Sequence, residues 1–380
     1  CRYIFTRLND FTRKIYREED DQAYTYLDDD GFPVEPEYYC PIIPMILVNG
    51  TKGIGTGWST HVPQHNPIDV IDAVIKRING ETTDILKPWY NGFKGEIEAI
   101  EENKYNSHGV YSVDGDILNI TELPLGKWTD DFKAFIETDI MSKKNNIKSY
   151  VDNSTDKDVD FTIEFYPGII DKLKMKEKKY CNGLEEYLKL TSMNETCYTN
   201  MNIYDRYGHI KKYNNTNEII TDYMDIRNEM YIKRKKIQLK KIDRELDILI
   251  NKVKFIEGII NDKVDLRKKT HEQMITHLEE HAFAKLHINF EIDEGTYEYL
   301  IHMPMYSLTV EKAEELKNKC DNKQNEYDVL LKKTIQEIWL EELDELTESY
   351  NKYLNMIKKE ENVGVKVKKQ IKIKKPVKTK

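Results

Sequence analysis

The 380-residue chain has few cysteines and no long apolar run, and each scarcity excludes something. The five cysteines (Cys1, Cys40, Cys181, Cys197, Cys320) are odd in number and widely spaced, with no CxxC pair or His/Cys cluster. Neither a disulfide framework nor a zinc site is supported, and free thiols are expected. No apolar stretch approaches the roughly 18 residues of a membrane-spanning helix, so such a span is excluded. An initiator Met and a signal peptide are also lacking. The chain opens Cys1-Arg2-Tyr3-Ile4-Phe5-Thr6 and reads as the C-terminal part of something longer. The net charge of −9 argues against a protein that coats nucleic acid by bulk charge. That charge is uneven: Val363–Lys380 holds eight Lys and no acid, a basic tail on an acidic body.

What is present is a third charged residues together with 25 Tyr and 4 Trp, too aromatic for a disordered chain. The length suits two or three domains. The acidic runs Glu18-Glu19-Asp20-Asp21 and Asp28-Asp29-Asp30 have no His and no ligand spacing, and read as solvated surface rather than a metal site. Pro41–Gly50, with two prolines, reads as a buried extended segment ending in a turn at Asn49-Gly50. Residues 67–79 carry apolar residues at helical spacing behind Pro67 and predict a short amphipathic helix. Alternating runs between about 90 and 170 predict strands with interspersed helices.

From about Asn217 the period changes to that of a helix. Leu239, Ile242, Leu246, Leu249, Val253, Ile256 and Ile260 form an a/d seam that extends toward Ile232 and Ile226. A second helix is expected from Val310 to Leu331, capped by Thr309. A third opens on the capping box Thr334-Ile335-Gln336-Glu337 and runs to about Lys359. The pair suggests an antiparallel intramolecular coiled coil.

The segment Asn49-Gly50-Thr51-Lys52-Gly53-Ile54-Gly55-Thr56-Gly57-Trp58 holds the most information about function. It matches neither a P-loop nor a dinucleotide fingerprint. A branched apolar residue, Ile54, stands between two glycines. A rigid loop presenting an aliphatic side chain, with backbone able to lie close to a groove, is what an intercalating wedge requires.

Together with Glu35-Pro36-Glu37-Tyr38-Tyr39 and Pro44-Met45-Ile46-Leu47-Val48-Asn49-Gly50, this segment resembles the type IIA DNA topoisomerases of eukaryotes and large DNA viruses. Ile120-Thr121-Glu122-Leu123-Pro124 with Trp128-Thr129, Ile210-Lys211-Lys212-Tyr213, and Tyr299-Leu300 with Met303-Pro304 follow in the family's order. The resemblance implies an α+β multidomain fold. Residues 1–42 would end a winged-helix domain, 43–218 would form an α/β tower-like region that bends DNA, and 219–359 would carry a long antiparallel coiled coil with the C-gate, before a basic tail at 360–380. It further implies ATP-dependent cleavage and religation of double-stranded DNA through a 5′-phosphotyrosine, by a homodimer that passes a second duplex.

By residue-wise carry-over, Tyr3 is the catalytic tyrosine and Arg2 its neighbouring charge stabiliser. Ile54 is the intercalating residue and Trp128 a DNA contact, although an indole alone is more often core. Lys52, His61, His65 and Lys127 sit beside these motifs and could reach phosphates. Mg²⁺ and ATP would be bound by ATPase and Toprim domains outside this chain, leaving the segment inactive alone. The location would be the nucleus, or a viral factory or host cytoplasm. The rival reading, a non-enzymatic coiled-coil DNA-binding or scaffold protein, explains the heptads and the tail but neither Arg2-Tyr3 nor the glycine-framed turn.

Overall fold

The computed structural model describes residues 5–9, 11–141, 146–267 and 269–371. Two compact units divide the chain: Ile43–Ile226, and Cys1–Ile42 together with Arg227–Lys380.

In the discontinuous unit a short helix α1 (Thr12–Ile15) leads into a 3₁₀ turn, Glu18–Ala23, and the hairpin β1 (Tyr26–Asp29) and β2 (Phe32–Pro36). Asp30 and Gly31 both take positive φ, 52° and 87°, as a two-residue hairpin turn requires. This unit is completed by most of α7 (Thr216–Ile260) and by the helices that follow it.

The continuous unit opens with α2 (Met45–Asn49), the hairpin β3 (Thr51–Ile54) and β4 (Ser59–Val62), and α3 (Pro67–Ile78). Strands β5 (Glu96–Glu101), β6 (Lys104–His108), β7 (Val110–Asp114) and β8 (Ile117–Glu122) come next, then α4 (Thr129–Phe135), continued by a π turn over Ile136–Met141. After them lie β9 (Ile147–Asp152), β10 (Phe161–Phe165), α5 (Ile169–Lys174), α6 (Gly183–Leu188), β11 (Thr191–Ser192), β12 (Met201–Tyr204) and β13 (Ile210–Tyr213). Its main sheet is antiparallel in the order β7-β8-β10-β9. Period-two burial on β8 and β10 turns Leu118, Ile120, Phe161, Ile163 and Phe165 onto Phe132, Ile170, Leu184 and Leu188 of the covering helices. The cysteines among the described residues are free.

Two expectations for this part of the chain are corrected. Pro41–Gly50 is not extended throughout, because Pro44 precedes a helical turn instead of interrupting one and Met45–Asn49 is α2. The acidic run at 18–21 is not all solvated surface. Asp20 is fully buried and accepts from Arg227 Nη1 at 2.7 Å and Arg234 Nη1 at 3.2 Å.

Arg227, Tyr231 and Arg234 share one face of α7 at i, i+4 and i+7. Glu342 closes the group, accepting from Arg234 Nη2 and the Tyr231 hydroxyl, each at 2.6 Å. Glu342 lies on α11 (Ile335–Ile371), reached from α7 through α8 (His271–Glu280), α9 (Glu298–Ile301) and α10 (Val310–Lys332). Trp339, one turn earlier on α11, donates to the Ile42 carbonyl at 2.9 Å. The capping box at Thr334–Glu337 and the Thr309 cap form as expected.

The a/d seam holds from Ile242 to Ile256, and its last member, Ile260, is exposed. Ile242, Leu246 and Ile256 are buried, and Val253 and Ile256 pack with Ala313 and Leu316 of α10. The Lys323–Glu245 and Lys317–Glu257 ion pairs fix the antiparallel sense. Upstream the seam does not continue through Ile232, which is exposed. There the arginines face inward, because the helix has rotated its stripe onto a polar partner. In the connector between α7 and α10, Phe283 and Leu286 are consumed by its own core with Phe255, Leu278, Tyr297 and Leu300, leaving Ile288, Met305 and Tyr306 outermost. No described helix is long and apolar enough to cross a membrane.

Removing one partner of a buried ion group strands the others without compensation. Asp20→Asn is therefore expected to cost about 3–5 kcal/mol in this unit. Hydrogen exchange of α11 amides across a urea series measures that loss, and a change below about 1 kcal/mol would mean that the network adds nothing.

Candidate nucleic-acid interface

The site grows from the β3–β4 hairpin. Gly50, at φ 62°, ends α2, and a Cβ there would meet the Val62 carbonyl oxygen at 2.7 Å, so only glycine lets the two hairpin legs close. Gly57, at φ 91°, supplies the positive φ of the connecting turn, which Gly55 N–H closes by donating to the Trp58 carbonyl at 2.8 Å. The turn presents its side chains to solvent. Ile54 is 93% exposed, and Trp58, four residues on at the far side of the turn, is exposed as well. An isoleucine so bare is not a core residue of the turn.

Backbone pairing and two asparagines brace the hairpin. His61 N–H donates to the Asn200 carbonyl at 2.8 Å, and Asn200 and Asn202 donate to the Ser59 hydroxyl and carbonyl, each at 2.9 Å. Glu195 then gathers the basic groups: its carboxylate lies 2.5 Å from Lys52 Nζ and 3.3 Å from His61 Nε2. Burial pushes the His61 pKa down, against the pull of Glu195 and with the help of Lys52. The Tyr90 hydroxyl donates to the Glu195 backbone carbonyl and fixes the loop. Gly126, at φ 77°, abuts the Glu195 side chain, where a Cβ would lie 2.9 Å from Cγ.

Two residues after Gly126 comes Trp128. It precedes α4, accepts the first helical bond from Phe132 N–H at 3.0 Å, and leaves its indole 75% exposed. The expectation that an indole belongs to the core fails here, since the core position is taken by Phe132. Lys127 and Lys189 lie over the Phe135 ring at 5.1 and 4.3 Å from its centroid. Desolvation, and then the neighbouring Lys189 charge, lower the Lys127 pKa.

The structure thus links Lys52, His61 and the strand leading to Ile54 through Glu195 to the turn that carries Lys127 and Trp128. His65 does not join them. It is buried, its Nδ1 2.9 Å from the Leu47 carbonyl and its Nε2 2.7 Å from the Tyr198 hydroxyl, and it staples α2 to the core. Tyr3 and Arg2 lie outside the described residues. Sequence reasoning missed Glu195 and Lys189. Neither has a local signal, for each is a single charge in a loop or at a helix end, 143 positions from Lys52 in the case of Glu195.

With this geometry in hand, comparison with known proteins is decisive. The family model for the A subunit of DNA gyrase/topoisomerase IV matches residues 1–344, and the chain belongs to that family. Among its relatives are the proteins named DNA topoisomerase 2 of Plasmodium falciparum (35% identical over 97% of this chain and 28% of that one), of Acanthamoeba polyphaga mimivirus (34%, 92% and 32%) and of Saccharomyces cerevisiae (34%, 93% and 27%). The chain therefore spans about a third or less of the length of these relatives. The crystal structure of the Plasmodium falciparum topoisomerase II DNA-binding, cleavage and re-ligation domain superposes with a TM-score of 0.80 at 35% identity, over 95% of this chain and 51% of that one. Type II topoisomerase relatives fit the topoisomerase reading of the sequence and not that of a non-enzymatic scaffold.

Burial lowers the His65 pKa from 6.5 to about 4. The native state thus disfavours protonation, whereas the unfolded chain takes up its proton as pH falls through 6.5. Stability is expected to drop by up to about 3 kcal/mol between roughly pH 6.5 and 4, and this contribution levels off below that. Urea unfolding at stepped pH, compared with His65→Gln, measures the slope, which the variant should lack.

Proposed function

We propose that this chain is the part of an ATP-dependent type II DNA topoisomerase that bends, cleaves and religates one duplex while a second is passed. The observation that carries the reading is Ile54, bare at the end of a strand that pairing with β4 and the Asn200 and Asn202 bonds to Ser59 hold in place. Inserted between base pairs, such a side chain unstacks a step and kinks the duplex, and contacts along the bent arms offset the cost. Trp128, Lys127, Lys52 and His61 are positioned to supply those contacts.

Tyr3 is the proposed nucleophile. Its phenol gives up its proton as the oxygen bonds to the scissile phosphorus, the P–O3′ bond breaks, and the 3′-oxygen takes up a proton and leaves as a hydroxyl, so that one proton is lost and one gained. The new ester resembles the old one in energy, so attack by that 3′-hydroxyl reverses the step. Arg2 stabilises the extra charge on the phosphate, for which a permanently charged planar guanidinium is suited.

The whole enzyme would use Mg²⁺ and ATP, and the acidic runs of this chain do not fit the role of magnesium ligands. Asp20 is committed to Arg227 and Arg234, and Asp28 accepts from Gly31 N–H within its own turn. The metal and the nucleotide belong to parts of the enzyme beyond these residues. Two copies are needed, one tyrosine for each strand, and the exposed Ile288, Met305 and Tyr306 of the connector are the proposed meeting surface. The enzyme would work in the nucleus or in a viral factory, wherever its DNA lies.

Three measurements test this reading. In the complete enzyme, Tyr3→Phe should abolish the covalent protein–DNA adduct with duplex affinity nearly unchanged, and an adduct formed by that variant would refute the assignment. Ile54→Ala should reduce the bend angle, read by end-to-end energy transfer on a short duplex, with only modest loss of affinity. A wild-type angle would place the wedge elsewhere. Finally, sedimentation should show a dimer at micromolar concentration that Met305→Asp with Tyr306→Asp converts to monomer.

A further inference from the structure

The connector between α7 and α10 carries a group of side chains that the DNA chemistry does not use. His277, Glu280 and His281 stand at i, i+3 and i+4 on α8 and the residue that ends it, so all three project from one helical face. One donor atom from each lies within 4.8 Å of the others, the imidazole rings are 4.4 Å apart at their centroids, and His277 Nδ1 is 3.7 Å from Glu280 Oε2. Two donors bound to one tetrahedral ion at about 2.0–2.1 Å are separated by about 3.3 Å, so a small side-chain rotation brings this pair to ligand spacing.

The surroundings favour the same use. His281 Nδ1 is 2.9 Å from the His277 carbonyl oxygen, to which it donates. That bond fixes the tautomer whose Nε2 carries the free lone pair, as the outer partner of a metal-binding histidine does. The His277 ring turns its Nδ1 toward Glu280, while its buried Nε2 has no hydrogen-bond partner, so the outer-partner support of the pair comes from His281 alone. The positive charge nearest in the hydrogen-bond pattern, Lys254 Nζ, is turned to the His281 and Ala282 carbonyls, and Glu279 is paired with Lys285.

We propose that His277, Glu280 and His281 bind a divalent transition-metal ion of the zinc class, with water in the fourth position. Two imidazoles and one carboxylate form a borderline-soft donor set that selects zinc over magnesium or calcium, which take all-oxygen shells. The site is separate from any magnesium of the strand-cleavage reaction and involves none of the residues assigned to DNA. Bound there, the ion would cross-link the last turn of α8 to the residue leading into the Phe283–Tyr297 core, and so stiffen the connector.

The test is titration of the metal-stripped, tag-free full chain with Co²⁺. One equivalent should bind with the visible ligand-field bands of a four-coordinate ion, and Zn²⁺ should displace it. Glu280→Gln, at an exposed position, should weaken binding by at least the about 10- to 100-fold that loss of an outer partner costs, and His281→Gln should remove the bands. X-ray absorption of the zinc-loaded wild type, which needs no variant to fold, should count two imidazoles. Absence of four-coordinate bands, or bands that persist unchanged in both variants, would overturn the site. The first result would leave His277 and Glu280 as an ordinary side-chain contact, and the second would move the ion to other histidines.

Discussion

A carboxylate with no access to water, Asp20, binds the N-terminal segment to the long helix. Arg227 and Arg234 reach it from α7, and Glu342 on α11 takes the remaining donors of Arg234 and Tyr231. Burying so many charges is costly, and their mutual attraction repays it only when each is fully paired. The arrangement therefore acts less as a source of raw stability than as a lock on register. Only one rotation of α7 points Arg227, Tyr231 and Arg234 at Asp20, and only one alignment of α11 brings Glu342 beside them. The Arg227 and Arg234 guanidinium groups flank the Tyr231 ring, 3.9 and 4.7 Å from its centroid, which fills the space between the charges with apolar contact.

That lock also shows what a sequence hides. The long helices were legible, because apolar residues at three- and four-residue steps with Thr309 and Thr334 as caps leave few alternatives. The strands of the continuous unit were legible as alternation. Asp20 was not: an aspartate inside an acidic run looks like solvated surface, and nothing local reveals two arginines more than 200 positions away. The same blindness affected Glu195, whose partners come from a distant hairpin, and Phe283 and Leu286, whose apolar character says that they are buried but not by what. The short helix α2 was missed for a different reason. Proline forbids an interior helical position and yet favours a helix start, and the pattern alone does not say which applies.

In the candidate interface the readable part was the glycine frame and the unreadable part was the electrostatics. Gly50, Ile54 and Gly57 announce a rigid turn with a protruding aliphatic group, and the structure has that turn. The basic residues beside it could be named from the sequence, but not sorted. His65 turns out to be a buried staple, and Lys52 and His61 share a carboxylate, while Lys127 shares an aromatic ring with a second lysine.

The pairing of Lys52 with Glu195 has a consequence for how binding would be read. A lysine that neutralises a phosphate releases a cation condensed on the DNA and so adds to the slope of affinity against salt. Lys52 already pairs with Glu195 at 2.5 Å, so a phosphate reaching it must first break that pair. Its gain in affinity is then only the difference between two ion pairs, while the DNA still gives up its cation and the salt slope still counts the contact. Glu195 would also stand as a rival that only a correctly seated backbone can displace, so that a loosely docked duplex gains nothing from this lysine.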